Sequence, residues 1–220
     1  MYEHSICSLT ELREALSANW TGAEPLRGRL AALPKFGHGD DAVDRLAARF
    51  ARDIAVLSRP MRNERGGPFQ ASFFAYYFFH WMGKDVRATP DGRRSGELLS
   101  QGVSPGRVKP AESLTDIMRA VGNIDLRDFP ANAVVDIQIP LAVGGSDYTI
   151  KLAAAMRTFA SLGGATLQTN AVSVEALRDA KLHPDRHQDL VVRISGLSAK
   201  FICLTGEIQD EIIARHMGIA

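Results

Sequence analysis

Asp189-Leu190-Val191-Val192-Arg193-Ile194-Ser195-Gly196-Leu197-Ser198-Ala199 is the stretch on which the fold of this chain turns. Val191, Val192 and Ile194 make Leu190 to Ile194 a β-branched strand, and the strand runs into a loop at Gly196. Working back from it, Ser173 is placed to cap a helix ending at Lys181, and Ala165 to Thr169 reads as a strand. Asp147 to Leu162 reads as an amphipathic helix with Leu152, Met156, Phe159 and Ala160 on one face and Gly163-Gly164 as its stop. Val134 to Ile139 is a further strand, and Thr205 is placed to cap a last helix through Arg215. This alternation predicts α/β architecture with some parallel pairing, because a helix is the usual way to return a chain to the same sheet edge.

The first half reads differently. Leu9 to Trp20 and Asp40 to Leu57 are predicted helices, with Val43, Leu46, Ala47, Phe50, Ile54 and Leu57 on one face of the second and Asp40 or Asp41 as its cap. Pro34 to Gly39 is a loop. Phe69 to Trp81 is close to continuously apolar but too short to span a bilayer, which takes about 20 residues, so a buried strand or core helix is expected. Thr89 to Arg93 and Gly102 to Pro105 are turns, with Asp91 and Arg93 expected to make turn hydrogen bonds. Ser113, followed by Asp116, has the capping-box spacing for a short helix through Val121.

At 220 residues, 45 % hydrophobic and 23 % charged, the chain can bury a sizeable core. A net charge of +1 with scattered Lys and Arg gives no footprint for nucleic acid or an anionic membrane. Cys7 and Cys203 are too few for a disulfide framework and suit a reducing compartment, so a cytoplasmic protein is expected, with both cysteines packed as small hydrophobes. Met1 to Leu16 lacks the apolar core of an export signal. The six histidines show no metal-ligand spacing, and neither Gly144-Gly145-Ser146 nor Gly163-Gly164 matches a nucleotide-binding fingerprint. No metal site is expected.

The Arg193 to Ala199 stretch resembles the glycyl radical signature: Arg, an aliphatic residue, a small residue, Gly, usually Tyr, then two small residues. Arg193, Ile194, Ser195, Gly196, Ser198 and Ala199 match, and Leu197 stands where the family usually has tyrosine. Pro184 to Gly196 and Thr205 to Arg215 also look like the family's flanking segments. Asn19-Trp20, Pro34 to Asp41, Arg65-Gly66-Gly67 and the two turns follow in the family's order, so the resemblance runs from about Leu9 to Arg215.

The resemblance implies the second half of a ten-stranded α/β barrel, ending in the glycine-radical loop and a terminal helix. The implied division is 1–145, a carboxy-terminal portion of a pyruvate formate-lyase-like barrel, and 146–220, a glycine radical domain. Gly196 is the implied catalytic residue, storing the radical. Arg193, Ser195, Leu197, Ser198 and Ala199 support its loop, and Gln168 and Asn170, at a strand end, are candidates for lining the site or for satisfying backbone groups. Glycine suits this role because a radical at Cα is stabilised by the flanking amide groups when the carbon is planar, and a Cβ would crowd that arrangement.

In the family a partner activase, carrying S-adenosylmethionine and an iron–sulfur cluster, removes the glycine hydrogen, so no bound cofactor is expected in the chain itself. The radical then passes to a cysteine in a Gly-Cys loop. Neither Cys7 nor Cys203 has that context. The cysteine-bearing half is therefore expected from a separate chain or a full-length homologue, serving radical C–C, C–O or C–N cleavage of the lyase, dehydratase or formate acetyltransferase kind. The alternative is a catalytically silent remnant or spare-part interaction module.

Overall fold

The computed structural model describes residues 5–75, 78–109, 111, 113–138, 146–194 and 197–217. Helices α1 (Leu9–Ser17), α2 (Glu24–Ala32), α3 (Asp41–Ser58), α4 (Phe78–Asp85) and α5 (Leu114–Gly122) precede strand β1 (Val134–Gln138). Then follow α6 (Ser146–Ser161), β2 (Thr166–Asn170), α7 (Val174–Leu182), β3 (Val191–Ile194), β4 (Leu197–Lys200) and α8 (Gly206–Met217).

Local chemistry sets most of these boundaries. Ser8 and Glu11 form a reciprocal capping box on α1. The Asp40 carboxylate accepts from the amides of Ala42 and Val43 to start α3, and the hydroxyls of Ser113 and Ser173 cap α5 and α7. Gly163 ends α6 at φ +86°, a left-handed conformation that glycine adopts without strain.

β1 and β2 pair in parallel, Val134 opposite Thr166 through Gln138 opposite Asn170, with α6 as the crossover that the alternating pattern predicts. A Cβ on Gly102 would lie 2.2 Å from the Val134 carbonyl oxygen, so only glycine lets the 102–105 turn lie against β1. The second sheet was not expected: β3 and β4 form an antiparallel hairpin, Val191 opposite Lys200 through Ile194 opposite Leu197.

Three apolar clusters hold these elements. The largest joins Ala51 and Ala55 of α3, Ile117, Met118 and Val121 of α5, Val135 and Ile137 of β1, and Phe159 of α6. A second joins Leu177 and Ala180 of α7, Val192 of β3, Phe201, and Ile212 and Ile213 of α8. A third, around Trp20, joins α1 and α2 through Leu12, Ala15 and Leu30.

Several expectations are corrected. α2 lies in a stretch for which no helix was predicted. α3 turns its alanines to the core, because small side chains allow the close approach; its large apolar face points outward, with Leu46, Phe50 and Leu57 all about 60 % exposed. The aromatic run is neither a buried strand nor a core helix throughout. Phe79 is buried, whereas Phe69, Phe78 and Trp81 are largely exposed, and residues 76–77 lie outside the described residues. On α6, Phe159 is buried but Met156 and Ala160 are exposed. Cys203 is exposed and Cys7 half-buried, so Cys203 is no packed hydrophobe. The turn expectation holds: Asp91 accepts from Thr89 and from the Arg93 amide, while the buried Arg93 guanidinium donates to the carbonyls of Val86, Arg87 and Glu97.

Candidate functional site

The β3–β4 hairpin carries the glycine motif on either side of residues 195–196. Ser195 and Gly196 themselves lie outside the described residues. Val192 is the strand residue buried under the hairpin, packed with Leu177, Phe201 and Ile212, while its neighbours Val191 and Arg193 face solvent as the two-residue period of a strand requires. Beyond β4 the chain turns at once through Phe201–Cys203, where the Phe201 amide donates to the Leu190 carbonyl at 2.8 Å and the buried Gln209 carboxamide of α8 donates to the Phe201 carbonyl at 3.0 Å. The terminal helix thus grips the exit of the hairpin.

Arg193 is exposed, and its guanidinium donates to the Ser198 hydroxyl directly across the hairpin, 2.9 Å away. Leu197 and Ser198 are exposed and Ala199 half-buried. Asn170, at the end of β2, is nearly fully buried. Its carboxamide donates to the Arg193 carbonyl at 2.9 Å and accepts from the Arg193 amide at 2.7 Å. Gln168, also buried, donates to the Asp136 carboxylate on β1, and the Asp136 amide donates to the Ser104 hydroxyl at 2.9 Å. The two polar residues of the β2 end therefore face different tasks, Asn170 toward the hairpin and Gln168 toward β1.

Asp136 and Ser104 in turn line a cleft of about 860 Å³ together with Asp91, Arg93, Gln101 and Ala214 of α8. Sequence reasoning did not find the contacts that join α8 to the rest of this region. The buried Glu211 carboxylate pairs with Arg107, whose guanidinium also lies 5.4 Å from the centre of the Phe79 ring. Glu207, in the first turn of α8, takes His80 at 2.9 Å and Lys84 at 3.0 Å from α4. No local signal marks such distant pairs. A partial signal for the hairpin did exist: Ser195-Gly196 is a turn dipeptide directly after the β-branched run at 191–194.

On the α7 side, Asp179 accepts from His183 at 2.9 Å and His187 at 2.6 Å, and the His187 hydrogen bond foremost, then that of His183, holds its carboxyl below the usual range. Among the described residues no group of three or more His, Cys, Asp or Glu is arranged to hold a metal ion, and no helix is long and apolar enough to cross a membrane.

The geometry has counterparts in known proteins. The pyruvate formate lyase-like family model matches residues 1–83, and the glycine radical model matches residues 99–202. A probable dehydratase of Escherichia coli (strain K12), YbiW, is 33 % identical over 230 residues, an alignment covering 99 % of this chain and 28 % of that protein. The isethionate sulfite-lyase of Nitratidesulfovibrio vulgaris is 31 % identical over 222 residues, 98 % of this chain and 26 % of the relative. The glycerol-bound B12-independent glycerol dehydratase from Clostridium butyricum superposes with a TM-score of 0.89 at 30 % identity, covering 95 % of this chain and 27 % of that one. The chain thus spans only about a quarter of the length of these relatives, corresponding to their carboxy-terminal part. With both family models in sequence order and an α/β fold shared with the solved dehydratase, the chain belongs to the glycyl radical enzyme family.

Proposed function

We propose that the chain is the radical-storing component of a glycyl radical lyase or dehydratase, with the unpaired electron held at Gly196. The observation that carries this reading is the Arg193 to Ala199 motif, with its glycine between the two strands of a hairpin whose flanks are packed and hydrogen-bonded. Hydrogen abstraction from the Gly196 α-carbon by a radical S-adenosylmethionine activase with an iron–sulfur cluster leaves the backbone radical. Transfer of a hydrogen atom back from a cysteine thiol regenerates glycine and creates the thiyl that attacks a substrate C–H bond. Arg193, Ser195, Leu197, Ser198 and Ala199 support the loop; Cys7 and Cys203 do not serve as that thiol.

In this reading the cysteine comes from a separate chain or a full-length homologue, and the chemistry is cleavage of a C–C, C–O or C–N bond in a reducing cytoplasm. Residues 1–145 form the barrel portion and 146–220 the radical domain. α6 and β2 tie the two together, because Phe159 and Leu167 pack on the first apolar cluster. The outward face of α3 and the exposed Phe78 and Trp81 of α4 supply apolar surface for such a partner.

Anaerobic incubation with a cognate activase should give a glycine-type doublet in the electron paramagnetic resonance spectrum, and later exposure to oxygen should cut the backbone at Gly196. Gly196→Ala should abolish both. An unmodified chain that stays silent under these conditions would support the catalytically silent module instead.

A further inference from the structure

We propose that Asn170 is a positioning residue for the radical hairpin, acting as a one-residue substitute for a neighbouring β-strand. This role rests on the assignment of radical storage to Gly196. In an antiparallel ladder, opposed residues alternate between pairs that exchange backbone hydrogen bonds and pairs whose backbone groups point away from the partner strand. The Arg193 amide and carbonyl are both taken by the Asn170 side chain, so Arg193 opposite Ser198 is a pair of the second kind. The same alternation makes Leu190 opposite Phe201 a pair of the first kind, and the Phe201 amide does donate to the Leu190 carbonyl at 2.8 Å.

The outer edge of β3 therefore presents one amide and one carbonyl toward the end of β2, with no strand of either sheet paired to that edge among the described residues. A planar carboxamide offers a donor and an acceptor at the spacing that a strand neighbour would provide. Asn170 does so from a nearly fully buried position, where backbone groups left unpaired would be costly. β2 is itself fixed by its parallel pairing with β1. The carboxamide thus transmits the position of the β1–β2 pair to a residue three places before Gly196.

The chemistry of the side chain sets the test. Asn170→Asp keeps an acceptor for the Arg193 amide but loses the donor to its carbonyl, whereas Asn170→Leu loses both. Leu12→Ala truncates a buried residue in the separate amino-terminal cluster and serves as a control for general destabilisation. Hydrogen exchange at the Arg193 amide should rise at least tenfold in Asn170→Leu, rise less in Asn170→Asp and stay unchanged in Leu12→Ala. The spin per chain after anaerobic activation should fall in that same order, by tenfold or more in Asn170→Leu.

Unchanged Arg193 exchange in Asn170→Leu would overturn the proposal, as would spin yields that follow the urea midpoints of the three variants rather than the exchange rates. If the unmodified chain gives no doublet, the storage reading fails and takes this role with it. If it gives one and Asn170→Leu matches its yield, only the positioning role falls.

Discussion

α3 and the unit built from α7, β3, β4 and α8 use apolar residues in opposite ways. In α3 the large side chains, Leu46, Phe50 and Leu57, stand in solvent, and the helix meets the core through Ala51 and Ala55. In the hairpin unit Leu177, Val192, Phe201 and Ile212 are all at most 1 % exposed and pack on one another. One region leaves its large apolar side chains in solvent; the other closes its own small core around the strands that flank the glycine. The difference teaches that the hairpin unit's packing is closed within its own elements, whereas the large apolar face of α3 is packed by none of the core clusters among the described residues.

The largest expected effect tests that contrast directly. Phe201→Ala should destabilise the chain by about 3–5 kcal/mol, the usual cost of emptying a buried phenylalanine site. Phe50→Ala should change stability by no more than about 0.5 kcal/mol, as exposed positions do. The two should exchange ranks in association. The unmodified chain is expected to self-associate or bind a partner through exposed apolar surface, and Phe50→Glu should shift it toward monomer in light scattering while Phe201→Ala leaves the α3 face intact. Equal urea midpoints for Phe201→Ala and Phe50→Ala would break the comparison, and a monodisperse unmodified monomer would remove the association half of it.

The same contrast marks what could be read from sequence. α5, β1, α6, α7 and β3 were legible because each is written locally: serine caps at 113 and 173, β-branched residues at 134–137 and 191–194, and a glycine stop at 163. The α3 periodicity was equally legible, but periodicity shows that an apolar face exists and not which neighbour covers it. β4 was missed because Leu197-Ser198-Ala199-Lys200 has little strand propensity and owes its state to pairing with β3. Of the site, the motif flanking Gly196 and the β2 end were recognisable, whereas the Asn170 carboxamide bridge and the Arg107–Glu211 pair depend on tertiary approach.

That ion pair ties α8 of the hairpin unit to the loop before α5, and breaking it is the next largest effect. Glu211 is 2 % exposed at its side chain and Arg107 22 %. Arg107→Ala should cost about 3 kcal/mol, toward the low end for removing one partner of a buried pair, because the carboxylate stays buried without that cation. Replacing both residues by Leu and Met should recover much of this loss in thermal melts. A double variant no more stable than Arg107→Ala would show that the pair does more than neutralise a buried charge.

The smallest effect separates the regions by the sign of their acid response. Asp44 of α3 is fully buried, and burial pushes its carboxyl up against the opposing hydrogen bond from the Gly37 amide. A carboxyl raised on folding contributes stability that is complete below its unfolded value, about 4, and is lost as pH rises through the folded value. Glu207 of α8 is held low, first by its hydrogen bond and charge pairing with Lys84 and then by His80. Its contribution is present above about 4.3 and is lost as pH falls through the depressed folded value. Between pH 3 and 7, Asp44→Asn should therefore gain stability relative to the unmodified chain as pH rises, and Glu207→Gln should lose it. Urea midpoints across that range check both slopes. Parallel slopes would mean that the two carboxylates share one environment, contrary to the burial of one and the exposure of the other.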